Sequence, residues 1–89
     1  MSAFRVILTP EAQSDVLRLD SSMQKRILDK LEWIGEHAQL LRHQALQGDE
    51  WRGSFKYRVS DYRIIYQLDS GAEKMITLKV GHRREVYGA

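Results

Sequence analysis

The stretch Phe55-Lys56-Tyr57-Arg58-Val59-Ser60-Asp61-Tyr62-Arg63-Ile64-Ile65-Tyr66 decides the fold. Phe55, Tyr57 and Val59 alternate with Lys56 and Arg58; beyond Ser60-Asp61, Tyr62, Ile64 and Tyr66 alternate with Arg63 and Ile65. A period of two sends successive side chains to opposite faces of a strand, and Ser-Asp is turn chemistry. The stretch is therefore a hairpin with one apolar face. Toward the C-terminus the second strand continues to Leu68, Asp69-Ser70-Gly71 signals another turn, and Ile76, Leu78 and Val80 alternate with Met75, Thr77 and Lys79. The reading is a three-stranded antiparallel meander.

Toward the N-terminus the period lengthens to that of a helix. Met23, Ile27, Leu31, Ile34 and Ala38 recur every three or four residues, the amphipathic helical signature. Ser21-x-x-Gln24 fits a capping box for that helix, and Gly35 weakens its last turns. Before it, Thr9-Pro10-Glu11 has the hydroxyl, proline and acid of a helix start, and Ala12, Val16, Leu17 and Leu19 continue it as one stripe. Phe4 to Leu8 is a short apolar, β-branched run and reads as a first strand that joins the meander. The fold class is α+β: an N-terminal strand, a two-helix hairpin, then the meander, with the helices on one face of a small, mostly antiparallel sheet.

The 89 residues, 43% hydrophobic and 29% charged, suit one small globular domain spanning 1–89. No cysteine is present, which excludes disulfides, thiolate nucleophiles and cysteine-based metal sites. Neither a run of about 20 apolar residues nor a signal-peptide core of roughly 7–15 exists, so a soluble, cytoplasmic chain with no membrane partner is expected. Nor is there a glycine-rich phosphate loop or a set of metal-ligating side chains at the usual spacings; no cofactor is expected.

Charge is distributed unevenly. Residues 1–50 sum to −2 and residues 51–89 to +4, and a basic half in a small domain suits a polyanionic partner. If the apolar sets face the helices, their alternates Lys56, Arg58, Arg63 and Lys79 share the other face. A third strand running past Gly81 would add Arg83, Glu85 and Tyr87 to it. Phosphate backbone is the natural ligand of such a face. His37 and His43 are expected at the surface after the second helix, His82 lies beside the basic face with opposite parity, and Trp33 and Trp51 are expected to be structural.

RNA carries its own nucleophile, the ribose 2′-hydroxyl. A protein that cuts it needs to orient the chain, neutralise the pentacoordinate transition state and move protons. Arginine suits the second task because its planar fork pairs with phosphate oxygens and stays charged. A tyrosine becomes a base only where neighbouring cations lower its pKa from about 10.

Gly53 to Tyr66 resembles the central signature of the RelE/ParE toxin superfamily, and Val80-Gly81-His82-Arg83-Arg84-Glu85-Val86-Tyr87 is similar to its closing motif. The resemblance covers essentially the whole chain and implies the RelE/ParE, microbial-RNase-like fold. RelE-like members are ribosome-dependent messenger RNA endonucleases, toxins of type II toxin–antitoxin systems, cutting in the ribosomal A site; ParE-like members poison DNA gyrase without cutting RNA. For the RelE-like branch, Arg63 would stabilise the transition state, Arg83 would aid protonation of the leaving 5′ oxygen, and Tyr87 would be a base that also stacks on the codon. Lys56 and Arg58 match two basic positions where the type member has lysines. Lys79, Arg84 and His82 are further candidates for holding substrate. The implied partners are a RelB-like antitoxin, the ribosome and messenger RNA, with operator DNA bound only through the antitoxin complex. The chain ends at Ala89, without the tail helix of some relatives.

Overall fold

The computed structural model describes residues 3–46, 48 and 52–86. The chain runs β1 (Arg5–Leu8), α1 (Pro10–Leu17), α2 (Ser21–Glu36), β2 (Gln44–Ala45), β3 (Phe55–Val59), β4 (Tyr62–Asp69), β5 (Lys74–His82) and α3 (Arg83–Val86). The five strands form one open sheet in the order β1-β5-β4-β3-β2, antiparallel except for the parallel β1–β5 pair. The meander and the joining first strand are as expected from the sequence; the two-residue β2, pairing Gln44 with Lys56 and Ala45 with Phe55, adds an edge that no periodicity announces.

Local chemistry explains the helix starts. Thr9 caps α1, its Oγ1 accepting the Ala12 N–H at 3.2 Å, with Pro10 and Glu11 in the first turn. The cap of α2 is Asp20, whose Oδ1 accepts the Met23 N–H at 2.8 Å; the expected box at Ser21 does not form. The carboxylate is the stronger acceptor for an orphan N–H, and Gln24 instead donates to the Val16 carbonyl at 2.9 Å, tying the helices together. Leu17 is not part of the buried stripe of α1, which is Ala12, Asp15 and Val16.

Val16, Ile27, Leu31 and Ile34 from the helices meet Val59, Ile64, Tyr66, Met75 and Val80 from the sheet in one core. Each such side chain contributes about 1.5–3 kcal/mol on leaving water. Gly35 does not fray α2: a Cβ there would stand 2.9 Å from both the Phe4 carbonyl oxygen and Val6 Cγ2, and the Phe4 N–H donates to the Gly35 carbonyl at 2.9 Å. The glycine is the contact that lets α2 lie against the entry to β1.

One expectation fails at β5. The β4–β5 register jumps from Ile65↔Lys79 to Tyr66↔Thr77, so Leu78 is an extra residue in the ladder, a bulge that inverts side-chain parity. Met75 and Thr77, not Ile76 and Leu78, therefore share the core side with Tyr66 and Val80. The polar groups around the bulge are met by α1 and its cap. Thr9 N–H donates to the Thr77 carbonyl at 3.0 Å, Thr9 Oγ1 donates to the Leu78 carbonyl at 3.2 Å, and buried Asp15 accepts the Val80 N–H at 3.0 Å.

Candidate functional site

The basic residues gather where the β3–β4 hairpin turns. Val59 pairs with Tyr62, leaving Ser60-Asp61 as a two-residue loop, and Ser60 has φ 56°, the positive value that a tight primed turn requires at its first central position. This turn sets Arg58 directly opposite Arg63. Like charges in that relation repel. They are held nonetheless by the turn's carbonyls: Arg58 Nε donates to the Ser60 oxygen at 3.2 Å, and Arg63 Nη1 donates to the Tyr62 oxygen at 3.1 Å and, longer, to Ser60 at 3.5 Å. Arg58, Arg63, Lys56 and Gln44 line an open depression of about 310 Å³ on the sheet. A phosphate group entering it would meet three cationic side chains and, among the described residues, no carboxylate in its lining.

The closing motif arrives beside the same turn, though not as an extended strand. β5 ends at His82, and Arg83–Val86 is a short helical turn, so the extended strand expected to run past Gly81 does not continue beyond His82. The Arg83 N–H donates to the Asp61 carbonyl at 2.9 Å, while Arg63 pairs with Gly81 and Tyr62 with His82. Residues 20 apart in sequence are thus locked to one hairpin end, with the Arg83 and Arg84 side chains exposed. The His82 ring meets Tyr62 edge-on, centroids 5.7 Å apart, and its Nδ1 accepts the Arg84 N–H at 3.3 Å. Tyr87 lies outside the described residues, as does Trp51.

Lys79 is not one of the residues lining the depression; its Nζ pairs with Glu11 Oε2 of α1 at 3.0 Å. Trp33, expected to be structural, lies at the protein surface, stacked on His37 at 4.7 Å with Lys30 Nζ 4.6 Å from its ring.

His43 is the residue that sequence reasoning misplaced. It is not a plain surface histidine: Nε2 lies 2.7 Å from the Ala38 carbonyl and Nδ1 2.5 Å from the Tyr66 hydroxyl. A carbonyl only accepts, so Nε2 carries a proton and neutral Nδ1 accepts from Tyr66. The ring also packs on Phe55, centroids 5.3 Å apart. Burial, with the Tyr57 charge adding to it, pushes the Tyr66 hydroxyl up to about 12. A lone histidine in a non-periodic linker carries no local signal of such a contact, made across 23 positions.

The fold recurs in solved toxin structures. The chain is similar to the toxin–antitoxin complex RelBE2 from Mycobacterium tuberculosis (TM-score 0.82, 21% identity, 96% of this chain and 97% of that one). It is also similar to the isolated RelE toxin of E. coli (TM-score 0.75, 24% identity, 96% and 92%). A third similar structure is the YoeB/ParE toxin from Agrobacterium tumefaciens (TM-score 0.71, 15% identity, 89% and 98%). Among curated proteins no sequence matches. The family model described as the ParE toxin of the type II toxin–antitoxin system parDE matches residues 6–87. With hairpin, helices and closing motif all inside that match, the chain belongs to the RelE/ParE family of type II toxins.

Proposed function

We propose that the chain is a RelE-type toxin that cuts messenger RNA in the ribosomal A site. The observation carrying this reading is the convergence at one hairpin end: Arg58 opposite Arg63, Lys56 in the same depression, and Arg83 bonded through its N–H to Asp61. A binder of another protein has no need to set two arginines against each other at a cost in stability. A catalyst of phosphoryl transfer does.

In the proposed reaction the ribose 2′-oxygen forms a bond to the adjacent phosphorus as the bond from phosphorus to the 5′ oxygen breaks. The 2′-hydroxyl proton passes to Tyr87 as tyrosinate, and a water oriented by Arg83 gives a proton to the leaving 5′ oxygen; the hydroxide so formed takes the proton back from Tyr87, so that one proton in net moves from the 2′ to the 5′ oxygen. Arg63 neutralises the charge that builds on the equatorial oxygens, while Lys56 and Arg58 position the phosphate. His82 and Arg84 hold flanking backbone. The products are a cyclic phosphate and a 5′-hydroxyl end.

The proposed antitoxin is RelB-like, with an amphipathic segment. A groove of about 580 Å³ runs between β1 and α2, walled by Phe4, Val6, Leu8, Leu28 and Leu31; it suits the apolar side of that segment. Its acidic residues suit the basic depression.

The test is induction of the chain in a bacterial host and primer extension on an abundant message, beside Arg83→Ala. Cuts within codons that fall by roughly 10²–10⁴ in rate in the variant are the expected result. Intact messages with arrested growth and blocked supercoiling would overturn the proposal in favour of gyrase.

A further inference from the structure

We infer that the cleft next to the basic depression is a subsite for one nucleobase, so that this chain reads a base beside the phosphate it holds. The inference rests on the proposed function and extends it from the basic depression into the adjoining cleft. The linker between α2 and β2 stands away from β3 and leaves a cleft of about 280 Å³. That lies just under the roughly 300–1,000 Å³ of pockets for larger ligands, a size for a single ring system. Arg42, His43 and Gln44 from the linker and β2, and Tyr57, Arg58 and Tyr66 from the sheet, line it.

Two features make this a built site. The cleft shares Gln44, Lys56 and Arg58 with the depression, so a nucleotide whose phosphate meets those cations has its base at the cleft mouth. The walls are also fixed in advance. His43 bonds the Ala38 carbonyl and the Tyr66 hydroxyl, Leu40 and Leu41 N–H groups donate to the His37 carbonyl at 2.9 and 3.0 Å, and β2 pairs with β3. A preformed cleft avoids the ordering cost of a loop that closes on its ligand.

The roles of the residues follow from their hydrogen bonds. Both His43 nitrogens are committed inside the protein, so His43 is a positioning residue and not a reader. Arg42 and Gln44 are exposed and supply donors, with one amide oxygen as acceptor. A rim so rich in donors favours base edges that carry carbonyl oxygens, guanine and uracil, over adenine. Half-buried Tyr57 is the aromatic residue of the lining against which a base packs, while buried Tyr66 serves only to hold His43.

The test is a nuclear magnetic resonance titration of the full chain with the four nucleoside 3′-monophosphates, and with inorganic phosphate as control. Nucleotides are expected to shift the Tyr57, Tyr66 and His43 side-chain resonances, and phosphate is not. Guanosine and uridine nucleotides should bind several-fold tighter than the adenosine nucleotide, and Arg42→Ala with Gln44→Ala should erase that preference while the spectrum stays folded. Shifts identical to those of phosphate, or none at Tyr57 and Tyr66 up to the solubility limit, would overturn the inference. Base-dependent binding by a chain that leaves messages intact would sink the nuclease reading alone; cutting without base-dependent binding would sink the subsite alone.

Discussion

Replacing Gly35 by alanine sets two known effects against each other. In the last turn of α2 the change gains at most the helix propensity of an interior site, about 0.8–1 kcal/mol. The added Cβ, however, would lie 2.9 Å from the Phe4 carbonyl oxygen and 2.9 Å from Val6 Cγ2. One neighbour is backbone and the other a β-branched side chain with little freedom, so β1 itself must move. Overpacking of this kind costs about 1–3 kcal/mol, and displacement of β1 strains the Phe4-to-Gly35 hydrogen bond, worth about 1 kcal/mol more. The net expectation is destabilisation by about 1–3 kcal/mol. For a domain of this size each kcal/mol moves Tm by about 4–8 °C, so a thermal melt followed by circular dichroism resolves it. Gly71→Ala is the control: its Cβ would meet only Asp69 Oδ1, at an ordinary 3.6 Å, and shortening the unfolded chain's freedom stabilises by about 0.4–1 kcal/mol. An unchanged or raised Tm for Gly35→Ala would refute the view that the close approach of α2 and β1 requires glycine.

Three further outcomes follow from the core and the bulge. The Tyr66 hydroxyl is raised from 10.0 to about 12, so the folded state favours the neutral phenol; its contribution is whole below pH 10 and is lost as pH climbs to about 12. At 1.36 kcal/mol per pKa unit that loss is about 3 kcal/mol, and urea melts across this range should see wild type lose its advantage over Tyr66→Phe; a constant gap would contradict it. Among the described residues Thr77 Oγ1 is buried without a hydrogen-bond partner, so Thr77→Val should stabilise by about 1 kcal/mol, and a lower urea midpoint would count against it. Asp15→Ala orphans the Val80 N–H and should cost about 1–3 kcal/mol, whereas Asp15→Asn keeps an acceptor and should cost clearly less; equal losses would mean that the charge toward Arg18 matters more.

What the sequence reveals depends on whether a segment's structure is decided locally. The β3–β4 hairpin and α2 are legible because Phe55, Tyr57 and Val59, or Ile27, Leu31 and Ile34, repeat with the period of their element. The bulge at Leu78 is not, since its carbonyl is met by Thr9, 69 positions away, and nothing near Leu78 records this. The same holds for His43, whose partners Tyr66 and Phe55 come from strands paired later in the chain. Of the candidate site, Lys56, Arg58 and Arg63 are brought together as the alternation suggests, and Arg83 joins them by a backbone bond, not by strand parity. Lys79 shows the limit of parity, which gives a face but not the nearest acid on it; Glu11 comes from α1.

The parallel pairing of β1 with β5 joins Arg5–Leu8 to Lys74–Thr77, the first strand made to the last. Such non-local contacts form late. During synthesis β1 is made long before β5 exists, so the sheet cannot close, and α1 has no bulge to cap, until β5 has been added. The depression on β3 and β4 is complete in sequence before β5 is made, yet lacks the β5 partner that fixes Arg63 and the turn carrying Arg83. The order of the strands therefore works as a timer: a nascent chain whose β5 has not yet been made has no assembled basic site, whatever the state of its hairpin.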